Sequence, residues 1–315
     1  GTKDLIILSL SKPFFIPKIR TTSLSLLRPI ITRNVATSNK DEAVDLAYSS
    51  YEYAEKTSTK PPLVILHALL GSKNNWIDVS KAIHETTGRR VISVDARNHG
   101  DSAHSPQHTY FHMAHDLSKL LEQLELPKVS VFGHSMGGLS AMVFSLLYPD
   151  LVSSLIVEDV SPVKTSPHIF TIINLFDAMA TVAVKPDVPM SKARELVDEH
   201  LKSVTLDINI RNYLISNLVY NDNGYTWQVN IPALKKNFEE HVANFPDNLK
   251  GLQYVGPTLF IGGSLSNYIG LNDLPEIREY FPSAQLTYIK DAGHWVHIQK
   301  PDSFHKVICK FLVEN

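Results

Sequence analysis

The chain has 315 residues, 43% of them hydrophobic and 20% charged, with a net charge of −2 and one cysteine. That length holds one large α/β domain with an insertion, or two smaller domains, and the ordinary composition excludes a collagenous, low-complexity or disulfide-stapled chain. No apolar run reaches the ~18 residues a membrane span needs, and Cys309 has no internal disulfide partner, which fits a reducing compartment.

Charge is unevenly spread. Residues 1–40 carry seven basic side chains against Asp4 alone, leaving 23 basic and 31 acidic side chains for the rest. An acidic body lacks the concentrated basic face that nucleic acid or anionic lipid requires. The leader "SLSKPFFIPKIRTTSLSLLRPIITRN" mixes Arg and Lys with Ser, Thr and Leu and has no acid. That pattern predicts a mitochondrial transit peptide, the alternative being a disordered leader, over residues 1–38.

After the leader, "VDLAYSSYEY" (44–53) alternates as an antiparallel edge strand does. "PLVILH" (62–67), "RRVISVDAR" (89–97), "KVSVFGHSMGG" (128–138) and "VSSLIVEDVSP" (152–162) are near-continuous apolar runs separated by helical stretches. Such runs mark strands covered on both faces, so the fold class is α/β with a mostly parallel, doubly wound sheet. Residues 163–250 show helical patterns such as "SKARELVDEHLKSV" and "PALKKNFEEHVANF", with Ser191 and Pro232 as starts and no core strand. This stretch is predicted to be an inserted helical lid. "TLFIGG" (258–263) and "AQLTYI" (284–289) supply two late strands, and "DSFHKVICKFL" (302–312) a closing amphipathic helix.

"GHSMG" (133–137) stands between an apolar strand and a helix. A nucleophilic serine needs that setting: a sharp turn that projects Ser135 from the carboxyl edge of the sheet, glycines that admit it, and a helix N-terminus behind it. "HALLG" (67–71) follows the first parallel strand, so the backbone N–H groups of Leu69 and Met136 form the candidate oxyanion hole, each donor contributing roughly 3 kcal/mol. His67 reads as a buried imidazole that ties this loop down. "DAGHWVH" (291–297) follows the last strand and offers His294 as general base, with His297 as a packing or surface residue.

The acid is the harder assignment. The loop "GGSLSNYIG", where a hydrolase of this chain order usually carries it, contains neither Asp nor Glu. Asp159 ends the preceding strand, 24 residues after Ser135, and strands ~4.8 Å apart leave it within reach of a histidine leaning back toward the serine. Glu158 is expected on the opposite side by strand alternation. Asp273 reads as a helix cap and Asp291 as a turn former. Five histidines between His99 and His115 include a spacing of four (His104, His108, His112), but Pro106 interrupts any helix and no carboxylate or cysteine completes a metal set. Asp95, Arg97 and Asp101 are expected to brace that loop. Leu70, Trp76 and Trp295 are candidates to line an apolar acyl pocket.

These motifs resemble the α/β-hydrolase superfamily and, within it, the α/β-hydrolase domain-containing protein 11 family, whose relatives include small bacterial esterases and yeast mitochondrial alcohol acyltransferases. The segments that carry the likeness are "GSKNNW", "TGRRVISVDARNHGDSAHSP", "GHSMGG", "VEDVSPV", "SKARELVDEHL", "WQVN", "GPTLFIGG" and "AGHWVH", within residues 61–313. The resemblance implies an α/β-hydrolase core over 39–162 and 251–315, with the lid at 163–250, and a family acid at the position of Asp159. It also implies a mitochondrial matrix serine hydrolase of acyl or lipid esters, a diacylglycerol lipase, that associates with the 2-oxoglutarate dehydrogenase complex and needs no metal or organic cofactor. Two other readings stay open: an acyltransferase or thioesterase using the same three residues, and a protective binding partner of that complex. The family usually has His-Gly where this chain has His67-Ala68.

Overall fold

The computed structural model describes residues 42–53, 58–165 and 167–315, so the predicted leader lies outside the described residues. Seven strands form one sheet in the order β1-β3-β2-β4-β5-β8-β9. They are β1 (Tyr48–Tyr51), β2 (Leu63–Leu66), β3 (Val91–Val94), β4 (Val129–His134), β5 (Val152–Glu158), β8 (Thr258–Gly263) and β9 (Ala284–Ile289), while β6 (Leu218–Asn221) and β7 (Gly224–Trp227) form a separate hairpin. All main-sheet pairs are parallel except β1 with β3, as the alternation of the first segment predicts.

Alternation along the central strands sorts the core into two layers. Val131, Leu155 and Val157 face the helices Tyr110–Gln123 and Met136–Leu147. Phe132 and Ile156 face the helices Ile77–Thr87 and Pro301–Glu314, where they meet Trp76, Phe304 and Ile308. The same two-residue period continues off the strand ends, so His134 and Glu158 fall on the Trp76 side.

The segment between β5 and β8 departs from the all-helical expectation. It contains the helices Ile169–Thr181, Met190–Leu201, Ile208–Ile215 and Ile231–Asn237, but also the β6–β7 hairpin. "NDNG" (221–224) makes that turn, with Gly224 at φ 97°. Asn-Gly and Asp-Gly type turns supply the positive φ a tight hairpin needs. The Met190 helix begins one residue before Ser191, and Pro232 lies in the first turn of its helix behind the Asn230 cap.

Candidate active site

β4 and β5 end side by side, with His134 opposite Glu158 in parallel register. The next residue on each strand is Ser135 on one and Asp159 on the other, and both turn into the left-handed region, at φ 54° and 51°. Such a conformation costs a non-glycine residue about 1–3 kcal/mol and persists only where its surroundings impose it. Close packing imposes it at Ser135. A Cβ on Gly133 would lie 2.0 Å from the Gly137 carbonyl oxygen, and one on Gly137 would lie 2.1 Å from that of Leu66. Backbone bonds tie the two exits to the sheet: Ser135 N–H donates to the Glu158 carbonyl (3.2 Å) and Asp159 N–H to that of Ile261 (2.8 Å).

The Asp159 carboxylate is fully enclosed. Its Oδ1 accepts the Gly263 N–H at 3.0 Å, and its Oδ2 accepts the Ser266 hydroxyl and His294 Nδ1, the latter at 2.8 Å. Tyr268 lies flat on the His294 ring, 3.7 Å between centroids and 17° between planes. The loop that lacks a carboxylate therefore holds the neighbouring strand's carboxylate and one face of the imidazole. With Nδ1 committed to Asp159, Nε2 is the nitrogen left to exchange a proton.

Ser135 opens onto a cavity of about 50 Å³ lined by Leu69, Met136, Leu139, Ile172, Phe238 and Val242 among others. Tyr110, Lys164 and Thr165 separate it from a groove of about 1060 Å³ that they also line. Met136 is the first residue of its helix, where backbone N–H groups lack intrahelical partners. On the other side, the Ala68 carbonyl accepts His67 Nδ1 (2.8 Å), the Gly71 N–H (3.0 Å) and the Tyr213 hydroxyl (3.3 Å). Since a trans amide directs its N–H opposite its carbonyl, these bonds orient the Leu69 N–H. Tyr213 also donates to the Leu69 carbonyl at 3.0 Å, and Asn217 to that of Leu70 at 2.8 Å.

Comparison with known proteins follows the same lines. Residues 61–301 match the family model described as alpha/beta hydrolase fold. The chain belongs to the α/β-hydrolase family. It is similar to the sn-1-specific diacylglycerol lipase ABHD11 of Mus musculus, 43% identical over 265 residues and 84% of each chain. The Danio rerio protein of the same name is 41% identical over 264 residues, covering 84% of this chain and 82% of that one. A solved esterase from a marine microorganism shares 33% identity and a TM-score of 0.75 over 85% of this chain and 100% of its own. Within the α/β hydrolases the chain belongs to the ABHD11 family.

Leu69, Ser135 and Met136 thus share one cavity wall, and His294 meets Asp159 at the end of the strand beside Ser135, but three residues expected at the pocket do not line it. Trp76 is buried on the opposite face of the sheet, stacked on His297 with centroids 4.1 Å apart and edge-on to Phe132. Leu70 is buried in the core at φ 64°, its N–H donating to His99 Nε2 (3.1 Å). Trp295 packs edge-on against Tyr213 and His134 and is absent from the cavity wall. The Ala68 departure from the family's usual glycine is tolerated because Leu70, and not Ala68, takes the left-handed conformation. His67 ties the loop as expected, its Nε2 accepting the Ala96 N–H at 3.0 Å. Asp273 sits at its helix start, yet its carboxylate accepts the Gly270 N–H and pairs with Lys164.

The loop after β3 is braced by ion pairs: Lys73 with Asp95 and Asp101, and Arg97 with Asp116 through two 2.7 Å bonds. Its histidines are spent separately, His99 on Leu70, His108 on Asn98, and His112 on Glu42. Ser266, Tyr268 and Tyr213 were not legible as site residues, since a hydroxyl, whether in a loop like the first two or on a helix like Tyr213, carries no sequence signal of what it will meet.

Proposed function

We propose that the chain is a serine hydrolase that cleaves carboxylic acyl esters through an acyl-enzyme intermediate. Ser135 attacks the carbonyl, and His294 Nε2 takes the hydroxyl proton and returns it to the departing alcohol. Asp159 holds the imidazole in the required tautomer, and water then releases the acyl group. Charge on the tetrahedral oxygen is met by the Leu69 and Met136 N–H groups. The observation that carries this reading is the 2.8 Å bond between His294 Nδ1 and a buried Asp159 one rung from Ser135. The names of the mouse and zebrafish relatives support a diacylglycerol-type ester as the first substrate class to test. The segment 163–250 then acts as a lid, since Ile172, Phe238 and Val242 close the cavity over Ser135.

Fluorophosphonate labelling with ester turnover tests the assignment. Ser135→Ala is expected to abolish both, Asp159→Asn to lower kcat about 10⁴-fold, and Asp273→Asn to leave both intact. A folded Asp273→Asn protein that lost labelling while Asp159→Asn kept it would overturn the choice of acid. A mitochondrial matrix address rests on the basic leader, whose one acid is Asp4, and is read out by the location of a tagged full-length chain. Association with the 2-oxoglutarate dehydrogenase complex rests on the family resemblance and is read out by co-purification from mitochondria.

A further inference from the structure

Each of the three proposed catalytic residues has a buried polar neighbour close by in the chain. His134 precedes Ser135, Glu158 precedes Asp159, and His297 follows His294 by three residues, all three enclosed on the Trp76 side of the sheet. Glu158 and His297 are bonded to each other, and His134 packs edge-on against His297 and bonds the His294 backbone. Glu158 Oε1 accepts both the backbone N–H of His297 (3.0 Å) and its Nδ1 (2.8 Å), and Oε2 lies 3.0 Å from the same nitrogen. His134 Nε2 donates to the carbonyl of His294 itself at 2.9 Å. Trp76 stacks on the His297 ring and fixes its plane.

We infer that His134, Glu158 and His297 are positioning residues that fasten the backbone immediately following the His294 side chain to the two strands carrying Ser135 and Asp159. The inference rests on the roles proposed above for Ser135, Asp159 and His294. His294 stands in the loop between β9 and the short helix Val296–Gln299, and its ring has one hydrogen bond to orient it. That bond and the Tyr268 stack set the plane of the ring, but they place it over the sheet edge only if the backbone that carries it is fixed. Here the same strand ends that present the hydroxyl and the carboxylate also hold the loop, so displacements of sheet and base are shared. Reaction rates are sensitive to such geometry, about 10²-fold for a misplacement of ~1 Å.

Stability alone does not explain these polar residues. A buried ion pair rarely stabilises a fold more than apolar groups of equal volume, and the surroundings, Trp76, Phe132 and Phe304, are apolar. Metal binding is the other candidate role, because ligand atoms of the three residues lie within 4.8 Å of one another. The Glu158 oxygens, however, are already taken up by His297. Protonation agrees with positioning. Burial pushes the His134 imidazole down to about 3 in spite of Glu158, so it is neutral and its Nε2–H is a fixed donor. Burial opposes the charge on Glu158, but His297, which donates to it from both its backbone and its ring, outweighs burial and holds the carboxyl below its ordinary range.

The test is steady-state hydrolysis of p-nitrophenyl butyrate by the full chain carrying His134→Leu, His134→Gln, Glu158→Leu or Glu158→Gln. The leucine variants are expected to lose about 10- to 100-fold in kcat with KM within about twofold, and the glutamine variants to recover most of it, because Gln keeps the donor or the acceptor. Unchanged kcat in folded His134→Leu and Glu158→Leu would overturn the inference, as would equal losses in the Leu and Gln variants. Stoichiometric zinc in the purified protein, with kcat lost to a chelator, would replace it with a metal site. If the leucine variants do not fold, His134→Gln is compared with His134→Asn, which is too short to reach the His294 carbonyl. Equal kcat in that pair also overturns it. Ser135→Ala and His294→Ala are run alongside. Activity retained in either defeats the proposed mechanism, whereas inactivity in both with a fully active His134→Leu defeats only the positioning role.

Discussion

Ser135 and Asp159 reach the sheet edge by the same backbone device, a single left-handed residue at the end of a parallel strand. The Ser135 turn was legible because its glycines have no substitute: Gly133 and Gly137 each face a carbonyl oxygen at a distance no Cβ tolerates. Gly137→Ala should therefore drive Met136 and the start of its helix away from β2. The expected outcome is loss of fluorophosphonate labelling together with about 3 kcal/mol of stability in urea denaturation, at the upper end of overpacking costs. The meeting of Asp159 with His294 was legible by a different route, since the loop after β8 holds no acid and only one strand lies between it and the strand that carries Ser135. Trp76, Leu70 and Trp295 were misplaced for a common reason. Hydrophobicity says that a side chain is covered but not by which face, and the 3-10 turn Lys73–Trp76 rolls Trp76 beneath the sheet.

The strands were readable as apolar runs and the helices as periodic ones, while the β6–β7 hairpin was missed. Its signal, "NDNG" between "LVY" and "YTW", was present in a segment read by its helical periodicity. The helix Ile208–Ile215 shows what such an insertion contributes. From it Tyr213 reaches the carbonyls of Ala68 and Leu69, so one element between β5 and β8 sets the peptide planes of the loop proposed to form the oxyanion hole. Burial pushes the Tyr213 phenol well above its ordinary range and keeps it a donor at every working pH. Tyr213→Phe removes only that hydroxyl. A lost hydrogen bond of about 1–1.5 kcal/mol corresponds to a roughly tenfold fall in kcat. KM should barely move if Leu69 acts on the transition state, and a rise in KM with kcat unchanged would assign the loop to substrate binding instead.

At the scale of the whole molecule, the buried histidines of the described residues include four that are fully enclosed and uncharged: His67, His99, His108 and His134. Burial holds all four below the ordinary histidine value, His108 and His134 at about 3. A histidine with a depressed folded pKa binds fewer protons folded than unfolded. Its contribution is complete above the ordinary value of 6.5 and is lost as pH falls toward 3. The lowered Glu158 acts in the same direction, because an acid with a depressed folded pKa also gives up stability as pH falls. His108 and His134 alone amount to about 4 kcal/mol lost between about pH 7 and about pH 5, from ~1.4 kcal/mol per unit each below 6.5. Urea denaturation at those two pH values checks the slope, and a flat profile would mean that these imidazoles titrate freely. The histidines could be counted in the sequence, but their neutrality depends on enclosure, which appears only once the chain is folded.

The proposed nucleophile Ser135 and acid Asp159 lie 24 residues apart on one strand–helix–strand unit, whereas the proposed base His294 arrives from late in the chain. Loss of the His294 ring alone would unplug the base and leave the other two partners seated, because Gly263, Ser266 and Ile261 still hold Asp159. A His294→Ala protein should then keep a vacant slot between Asp159 and the Tyr268 ring, shaped for free imidazole, and small-molecule rescue of turnover would report on that half of the machine in isolation.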